Sequence, residues 1–281
     1  MSKPVIIYHA NCLDGVAAAW CFYDVHADHL EYVPGYYQGL TKEELKKYQD
    51  RAIVLVDFSL KKEAVEQLLD QGNSVSLVDH HVTAIDELKK IEHRSFSMAN
   101  SSISNSGAVL AWKFTHEEGE PIPQLLLHIE DRDLWNFNLP KTEEITAACY
   151  LMMSTPDKFD EIVNTPLLEL QAIGKILIKQ RKKTVKSLLK HTRYVAIDGI
   201  VCPVVNSPGE FSSEVGNELS KEKPLGITYF DSNENRIFSL RSSKDNPYAI
   251  NVGKFASKFG GGGHRHAAGF KVSRDHWLAK I

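Results

Sequence analysis

No run of about 18 apolar residues occurs anywhere in the 281 residues, so no candidate membrane-spanning helix exists. Cysteine is scarce. Cys12, Cys21, Cys149 and Cys202 are far apart and form no Cys-x-x-Cys pair. Reduced thiols in a cytoplasm fit this better than a disulfide framework. An excess of positive charge is missing as well: 33 Lys and Arg stand against 36 Asp and Glu, a formal net charge of −3. Proteins that grip long duplex nucleic acid carry a basic footprint. The charge balance argues against that class and leaves open a short anionic substrate in a local pocket. The opening stretch, MSKPVIIYHANCLDG, lacks a long apolar segment before a small-residue cleavage site, so no signal peptide is expected. Low-complexity linkers and internal repeats are absent too.

What is present is enough apolar material, 43% of the chain, to build real cores in about two domains. The first part alternates strand and helix signals. PVIIYHA, LEYVP, AIVLVDFS and SVSLVDHH read as strands. DGVAAAWCFYDVHA, TKEELKKY and KKEAVEQLLDQG read as helices; Thr41 and Glu44 form a capping box in the second, and Gly72 ends the third. Apolar strands alternating with helices predict an α/β domain with a parallel sheet covered on both faces. From about residue 105 the pattern turns helical, and after residue 194 strands return. The expected organisation is a first domain over 1–160, a helical linker over 161–193 and a smaller mixed α/β domain over 194–281. In KILIKQRKKTVKSLLKHTR, Lys175, Lys179, Lys182, Lys186 and Lys190 share one helical face, which reads first as a solvated outer face.

Titratable groups collect at the strand ends. The first strand ends at His9, with Cys12 and Asp14 just beyond. AIVLVDFS ends at Asp57, and SVSLVDHH ends at Asp79, His80 and His81. In an open parallel sheet, ligands bind outside the carboxyl ends of the strands. Three strands therefore deliver imidazole and carboxylate to one edge, a donor set suited to Mn²⁺, Fe²⁺ or Zn²⁺. A divalent cation would offset carboxylates that otherwise repel each other. HIEDRDLW adds Asp131 and Asp133; the apolar helix before them favours Asp131 as the inward residue.

Near the C-terminus, FGGGGHRHAAGF places four glycines before His264. Glycine allows backbone N–H groups to approach an anion, and a helix N-terminus following the run would favour negative charge. Arg241, between hydroxyls in SLRSS, suits a phosphate. Phe259, Phe270 and Tyr248 are candidates for a base-stacking platform near the glycines.

Together these residues resemble the DHH phosphoesterase family, named for the Asp-His-His triplet at 79–81. The tail resembles the DHH-associated C-terminal domain, with its glycine run, His and Ala-Ala-Gly. The motifs run in order from His9 to Gly269, and the nanoRNase and cyclic-nucleotide-phosphodiesterase branch is the most similar. The resemblance implies a Rossmann-like domain, a helical linker and a smaller mixed domain, with the active site in the cleft. It implies two Mn²⁺ ions held by His9, Asp14, Asp57, His80 and Asp131, with Asp57 bridging. Asp79 would be a ligand or outer-shell carboxylate. Catalysis would rest on Asp57, His80 and His81, with His81 contacting the phosphoryl group. Arg241, Gly262, Gly263 and His264 would hold substrate.

One departure is Cys12, where the family usually has an acidic residue. A thiolate is softer and favours Zn²⁺ or Fe²⁺, so Cys12 implies a less symmetric metal pair, or else is a small Cys without a metal role. The expected activity is hydrolysis of short oligonucleotides or linear dinucleotides to mononucleotides. Two alternatives stay open: a phosphomonoesterase or polyphosphate-type hydrolase, acting for instance on 3′-phosphoadenosine 5′-phosphate, and a non-catalytic nucleotide-binding relative. The expected partners are short oligonucleotides or small phosphorylated nucleotides, with no membrane; a homodimer is compatible with the sequence.

Overall fold

A computed structural model describes residues 3–36 and 39–281. In chain order the first unit contains β1 (Val5–His9), α1 (Leu13–His26), β2 (Glu31–Gly35), α2 (Lys42–Leu45), β3 (Ala52–Val56), α3 (Lys62–Asp70), β4 (Ser74–Asp79), α4 (Val82–Leu88), β5 (Phe96–Ser101), α5 (Gly107–Thr115), α6 (Gln124–Asp133), α7 (Thr142–Met152), α8 (Asp160–Val163) and the start of α9 (Leu167–Leu189). The second unit contains the rest of α9, then β6 (Arg193–Ile197), β7 (Ile200–Asn206), α10 (Ser212–Ser220), β8 (Gly226–Ser232), β9 (Asn235–Arg241), α11 (Val252–Ser257), β10 (Gly262–Gly263) and β11 (Ala267–Ser273).

The first sheet is all parallel in the order β2-β1-β3-β4-β5. Successive side chains of a strand point to opposite faces, and here both faces are covered. Ile6, Tyr8, Val56 and Val78 pack with α1, α5, α6 and α7. Val5, Ile7, Ile53, Leu55, Val75 and Leu77 pack against α2, α3 and α4. That is why the strands read as continuous apolar runs. The expected capping box forms: Thr41 Oγ1 accepts the Glu44 amide while the Glu44 carboxylate accepts the Thr41 amide. β5 had no counterpart in the sequence reading. Its Phe-Ser-Met-Ala-Asn-Ser sequence is too polar to announce an edge strand.

The second sheet is mixed, in the order β10-β11-β9-β8-β7-β6. Only β7 and β8 run parallel, and α10 makes the crossover that such a pair requires. One face carries the larger apolar cluster with Phe238, Leu240, Phe255 and Phe270.

The chain divides at 178/179, inside α9, rather than on either side of a separate linker. α9 is unbroken. Leu167, Leu170 and Ile173 belong to the first unit's core, and Val185, Leu188 and Leu189 to a small cluster of the second. Its lysines at 175, 179, 182 and 186 are all exposed, as a solvated face requires. Among the described residues no helix is long and apolar enough to cross a membrane.

Candidate metal and phosphate site

The strand order reverses between β1 and β3, and the crevice beyond such a switch point is where open α/β sheets bind ligands. His9 closes β1 on one side of the switch, and Asp57 follows β3 on the other. Asp57 takes a left-handed φ of +48°, a conformation that Asp tolerates better than most residues. Close packing brings the neighbours in. A Cβ on Gly107 would lie 2.8 Å from the Asp57 Oδ1, and one on Gly15 would lie 2.3 Å from the His9 carbonyl. Glycine at both positions lets α5 and α1 pack directly onto the strand ends.

Asp57 is the hub. Its Oδ1 lies 3.2 Å from His80 Nε2, and its Oδ2 lies 3.6 Å from His9 Nδ1. His80 Nε2 also faces Asp133 Oδ2 at 3.4 Å and Asp14 Oδ2 at 3.8 Å. Asp14 is fixed by the first turn of α5, accepting the amides of Gly107 at 2.6 Å and Ala108 at 3.0 Å. Asp79 plays a bracing part. Its Oδ1 accepts the amides of His80 and His81 and pairs with the His81 ring through Nδ1 at 2.7 Å.

Three carboxylates in so small a space set the electrostatics. Burial, then repulsion from Asp57 and Asp133, drives the Asp14 carboxyl well above its ordinary range. Asp133 rises for the same two reasons, burial first and then Asp57. Burial opposes ionisation of Asp57 too, but the imidazoles of His80, His9 and His81 outweigh it and hold Asp57 below the ordinary value. Burial disfavours charge on His80, yet Asp57, Asp14 and Asp133 together raise it to about 9. His81 is raised chiefly by Asp79. In the metal-free protein a protonated His80 therefore does part of a cation's work.

The donors sort into three overlapping groups: Asp57 with Asp79, His80 and His81; His9 with Cys12 and Asp57; and Asp14 with His80 and Asp133. In each group the ligand atoms lie within 4.8 Å of one another. Both oxygens of Asp57 are buried without a hydrogen bond, as is Asp79 Oδ2. Buried carboxylate oxygens are costly when unsatisfied. Mixed imidazole and carboxylate donors around such oxygens fit a divalent cation, so the residues present suit the group.

Asp131, expected in this set, lies outside these donor groups and is taken up by other hydrogen bonds. Asp131 points into the following loop, where it accepts the amides of Asn138 at 2.7 Å and Leu139 at 3.0 Å and the Thr142 hydroxyl at 2.5 Å. Burial would raise its pKa, but these three donors outweigh it and hold the carboxyl low. Two residues on, at the end of α6, Asp133 reaches His80 instead. The apolar helix before the pair marked a nearby acid but not which of the two faced the strand ends.

The glycine-rich tail also differs from expectation. No helix follows the glycines. They enter a hairpin in which β10 pairs antiparallel with β11, Gly262 opposite Gly269 and Gly263 opposite Ala268. A Cβ on Gly261 would sit 2.2 Å from the Gly269 carbonyl, and Gly263 takes φ +138°. The run is thus glycine because two strands meet closely and turn there. Arg241 ends β9 opposite Ala267, so the hairpin brings Arg241, Gly262, Gly263 and His264 to one end of the second sheet. The Arg241 guanidinium donates to the Leu240 carbonyl and to Ser213 Oγ, at 2.9 and 2.8 Å. Phe259 and Phe270 stack on each other at 4.9 Å, with Phe270 buried, and so form core rather than a platform; Tyr248 alone of the three is largely exposed.

Several known proteins are similar to this chain. No family model matches the chain. An uncharacterized protein of Acanthamoeba polyphaga mimivirus is 30% identical across 96% of the chain and 67% of its own length. The oligoribonuclease NrnB of Bacillus subtilis is 26% identical across 83% of the chain and 62% of its own length. The pGpG-specific phosphodiesterase PggH of Vibrio cholerae matches 99% of the chain and 96% of its own, with a TM-score of 0.52 at 12% identity. RecJ of Thermus thermophilus, solved in complex with Mn²⁺, matches 99% of the chain and 50% of its own, with a TM-score of 0.53 at 14% identity. These relatives agree with the resemblance to DHH phosphoesterases that the Asp79-His80-His81 triplet carries. The chain spans roughly two thirds of the length of the two curated relatives.

Cys12 lies in the donor group with His9 and Asp57. It occupies the N-cap of α1 and makes no capping hydrogen bond. Burial, then the nearby Asp57, pushes its thiol up to about 12, so it is a protonated thiol in the metal-free protein.

Two predictions follow from the site. In chelated protein, Asp131→Asn should lower stability by about 1–3 kcal/mol by removing a charged acceptor from the Asn138 and Leu139 amides and the Thr142 hydroxyl. Asp133→Asn should leave stability unchanged or raise it, while weakening Mn²⁺ binding; urea unfolding and metal titration read the two. The opposite assignment would restore Asp131. The second concerns pH. Because His80 is raised to about 9, it stabilises the chelated protein fully below its unfolded pKa near 6.5, and this contribution fades as pH rises through about 9. A cation must displace that proton, so its apparent affinity should rise between pH 7 and 9 with proton release measurable by calorimetry in buffers of different ionisation enthalpy. A pH-independent affinity would contradict His80 as a ligand.

Proposed function

We propose that this chain is a metal-dependent phosphodiesterase that hydrolyses short oligonucleotides or linear dinucleotides to mononucleotides. The observation that carries the proposal is the Asp57 carboxylate. Its two buried oxygens lack hydrogen bonds and face different donors, His9 and Cys12 on one side, His80 with Asp14 and Asp133 on the other. A carboxylate between two such sets is suited to span a pair of divalent cations. When bound, the cations supply Lewis-acid neutralisation of phosphoryl oxygens and activation of water. The Mn²⁺ in the T. thermophilus RecJ structure supports manganese, and Cys12 keeps Zn²⁺ or Fe²⁺ in play.

The chain's own residues then have separate parts. Asp79 holds the His81 ring through Nδ1, which leaves Nε2 for a phosphoryl or leaving-group oxygen. The same contact raises the His81 pKa, which favours a ring able to donate a proton to the leaving oxygen near neutral pH. In the second unit, Arg241 and the close-packed glycines at 262 and 263 offer a guanidinium and an approachable backbone suited to a phosphate. The names of NrnB and PggH support the substrate class, an oligoribonucleotide for one and a linear dinucleotide for the other.

Purified protein assayed with Mn²⁺ should cleave a dinucleotide faster than 3′-phosphoadenosine 5′-phosphate or polyphosphate. His80→Ala and Asp57→Asn should each lose more than about a hundredfold in turnover, since even outer-shell partners of metal ligands are worth about 10–100-fold. Hydrolysis of the monoester or polyphosphate in preference to the dinucleotide would replace the proposal, and activity that survives chelation would remove its metal dependence.

A further inference from the structure

The cation site leaves one neighbouring feature without a role. Trp135, two residues beyond Asp133, exposes 74% of its surface. It does so in a left-handed conformation at φ +59°, and Phe137 repeats the strain at φ +50°. A bulky residue is a genuine outlier there. An exposed indole contributes no core burial to offset that cost.

The loop is nevertheless firmly braced. The Asp131 carbonyl accepts the amides of Asn136 and Phe137, at 2.9 and 3.2 Å, and the Trp135 amide donates to the Arg132 carbonyl at 3.0 Å. The Asp131 carboxylate holds the next residues, 138 and 139, through their amides. Phe137 meets the indole edge-on at 5.0 Å and 82°. A buried acid that the sequence suggested as a ligand is thus committed to presenting an aromatic plane to solvent.

That plane lines a hollow of about 160 Å³, with Leu13, Ile129, Arg132, Tyr150 and the cation-site carboxylates Asp14 and Asp133 completing its lining. The Arg132 guanidinium lies over the Tyr150 ring at 5.0 Å and donates to Thr146 Oγ1 at 3.3 Å. Among the described residues no carboxylate forms an ion pair with it. The hollow therefore brings together aromatic and apolar side chains, a guanidinium held in no ion pair, and carboxylates suited to a cation. A flat, π-faced group attached to a phosphate matches all of these, and a nucleobase is such a group.

We propose that Trp135, with Tyr150 and Arg132, forms a nucleobase subsite beside the cation site, in which the indole stacks on the base adjoining the reacting phosphate. This rests on the phosphodiesterase reading and adds to it how a nucleotide is distinguished from other phosphate esters. Stacking tolerates any base, so the subsite selects nucleotides as a class rather than by sequence.

The test compares binding of adenosine 5′-monophosphate with that of ribose 5-phosphate, in the presence of Mn²⁺, by calorimetry and by quenching of indole fluorescence. The native chain should favour the nucleotide by about tenfold or more, within the range that stacking on one aromatic supplies. Trp135→Gly is the informative variant, because glycine accepts positive φ and the change removes the indole without straining the loop. It should bring the preference to within about twofold and abolish the quenching, and Trp135→Phe should recover most of the preference. A preference unchanged in Trp135→Gly, or absent from the native chain, would overturn the subsite. Failure of the native protein to cleave any phosphodiester, with the nucleotide preference intact, would instead sink the reaction and leave the subsite standing.

Discussion

Mutual repulsion among Asp14, Asp57 and Asp133 is the constraint on which the site depends. The fold forces them together: the switch between β1 and β3 places Asp57 beside His9, the first turn of α1 supplies Asp14, and the end of α6 supplies Asp133. Apolar packing on both faces of the sheet fixes these elements, so the acids cannot separate without loss of core contacts. In the metal-free chain the repulsion appears as raised carboxyl groups at 14 and 133 and a His80 held protonated. A divalent cation relieves the same strain more completely than one proton does. Stability and cation affinity are in this sense two readings of one arrangement.

The supporting residues carry their own cost. Asp57, Trp135, Phe137 and Lys141 all take positive φ, and three of them lie on the loop between α6 and α7. That loop is organised by Asp131, whose carboxylate and carbonyl together accept five hydrogen bonds from residues 136–142. Strain concentrated beside a charged hollow is what a preorganised binding site requires. Asp131 and Asp133 thus divide two tasks that one Asp-Arg-Asp sequence presents as equivalent.

Much of this was legible in the sequence. The strands ending in His9, Asp57 and Asp79–His81 were readable because fully buried parallel strands are continuous apolar runs, and the run stops where chemistry starts. The edge strand β5 was not, because an edge strand has no need of such a run. The choice between Asp131 and Asp133 turned on side-chain direction at a helix end, which spacing alone does not fix. The glycine run announced a close backbone approach, but whether a helix or a hairpin followed depended on Ala267–Gly269 pairing with β9 and β10. Trp135 was invisible as a functional residue because an aromatic in a sequence is usually core, and only its exposure separates the two.

The central claim is that the clustered acids and imidazoles exist to hold cations through Asp57. Titration of chelated protein with Mn²⁺, read by calorimetry and by the thermal unfolding midpoint, tests it most directly. Two ions per chain are expected in the native protein, with a rise in the midpoint and about 2.7 kcal/mol of added stability at a hundredfold excess over the dissociation constant. Asp57→Asn should bind fewer ions and lose most of the rise. No binding by the native chain, or the same stoichiometry and rise in Asp57→Asn, would contradict it.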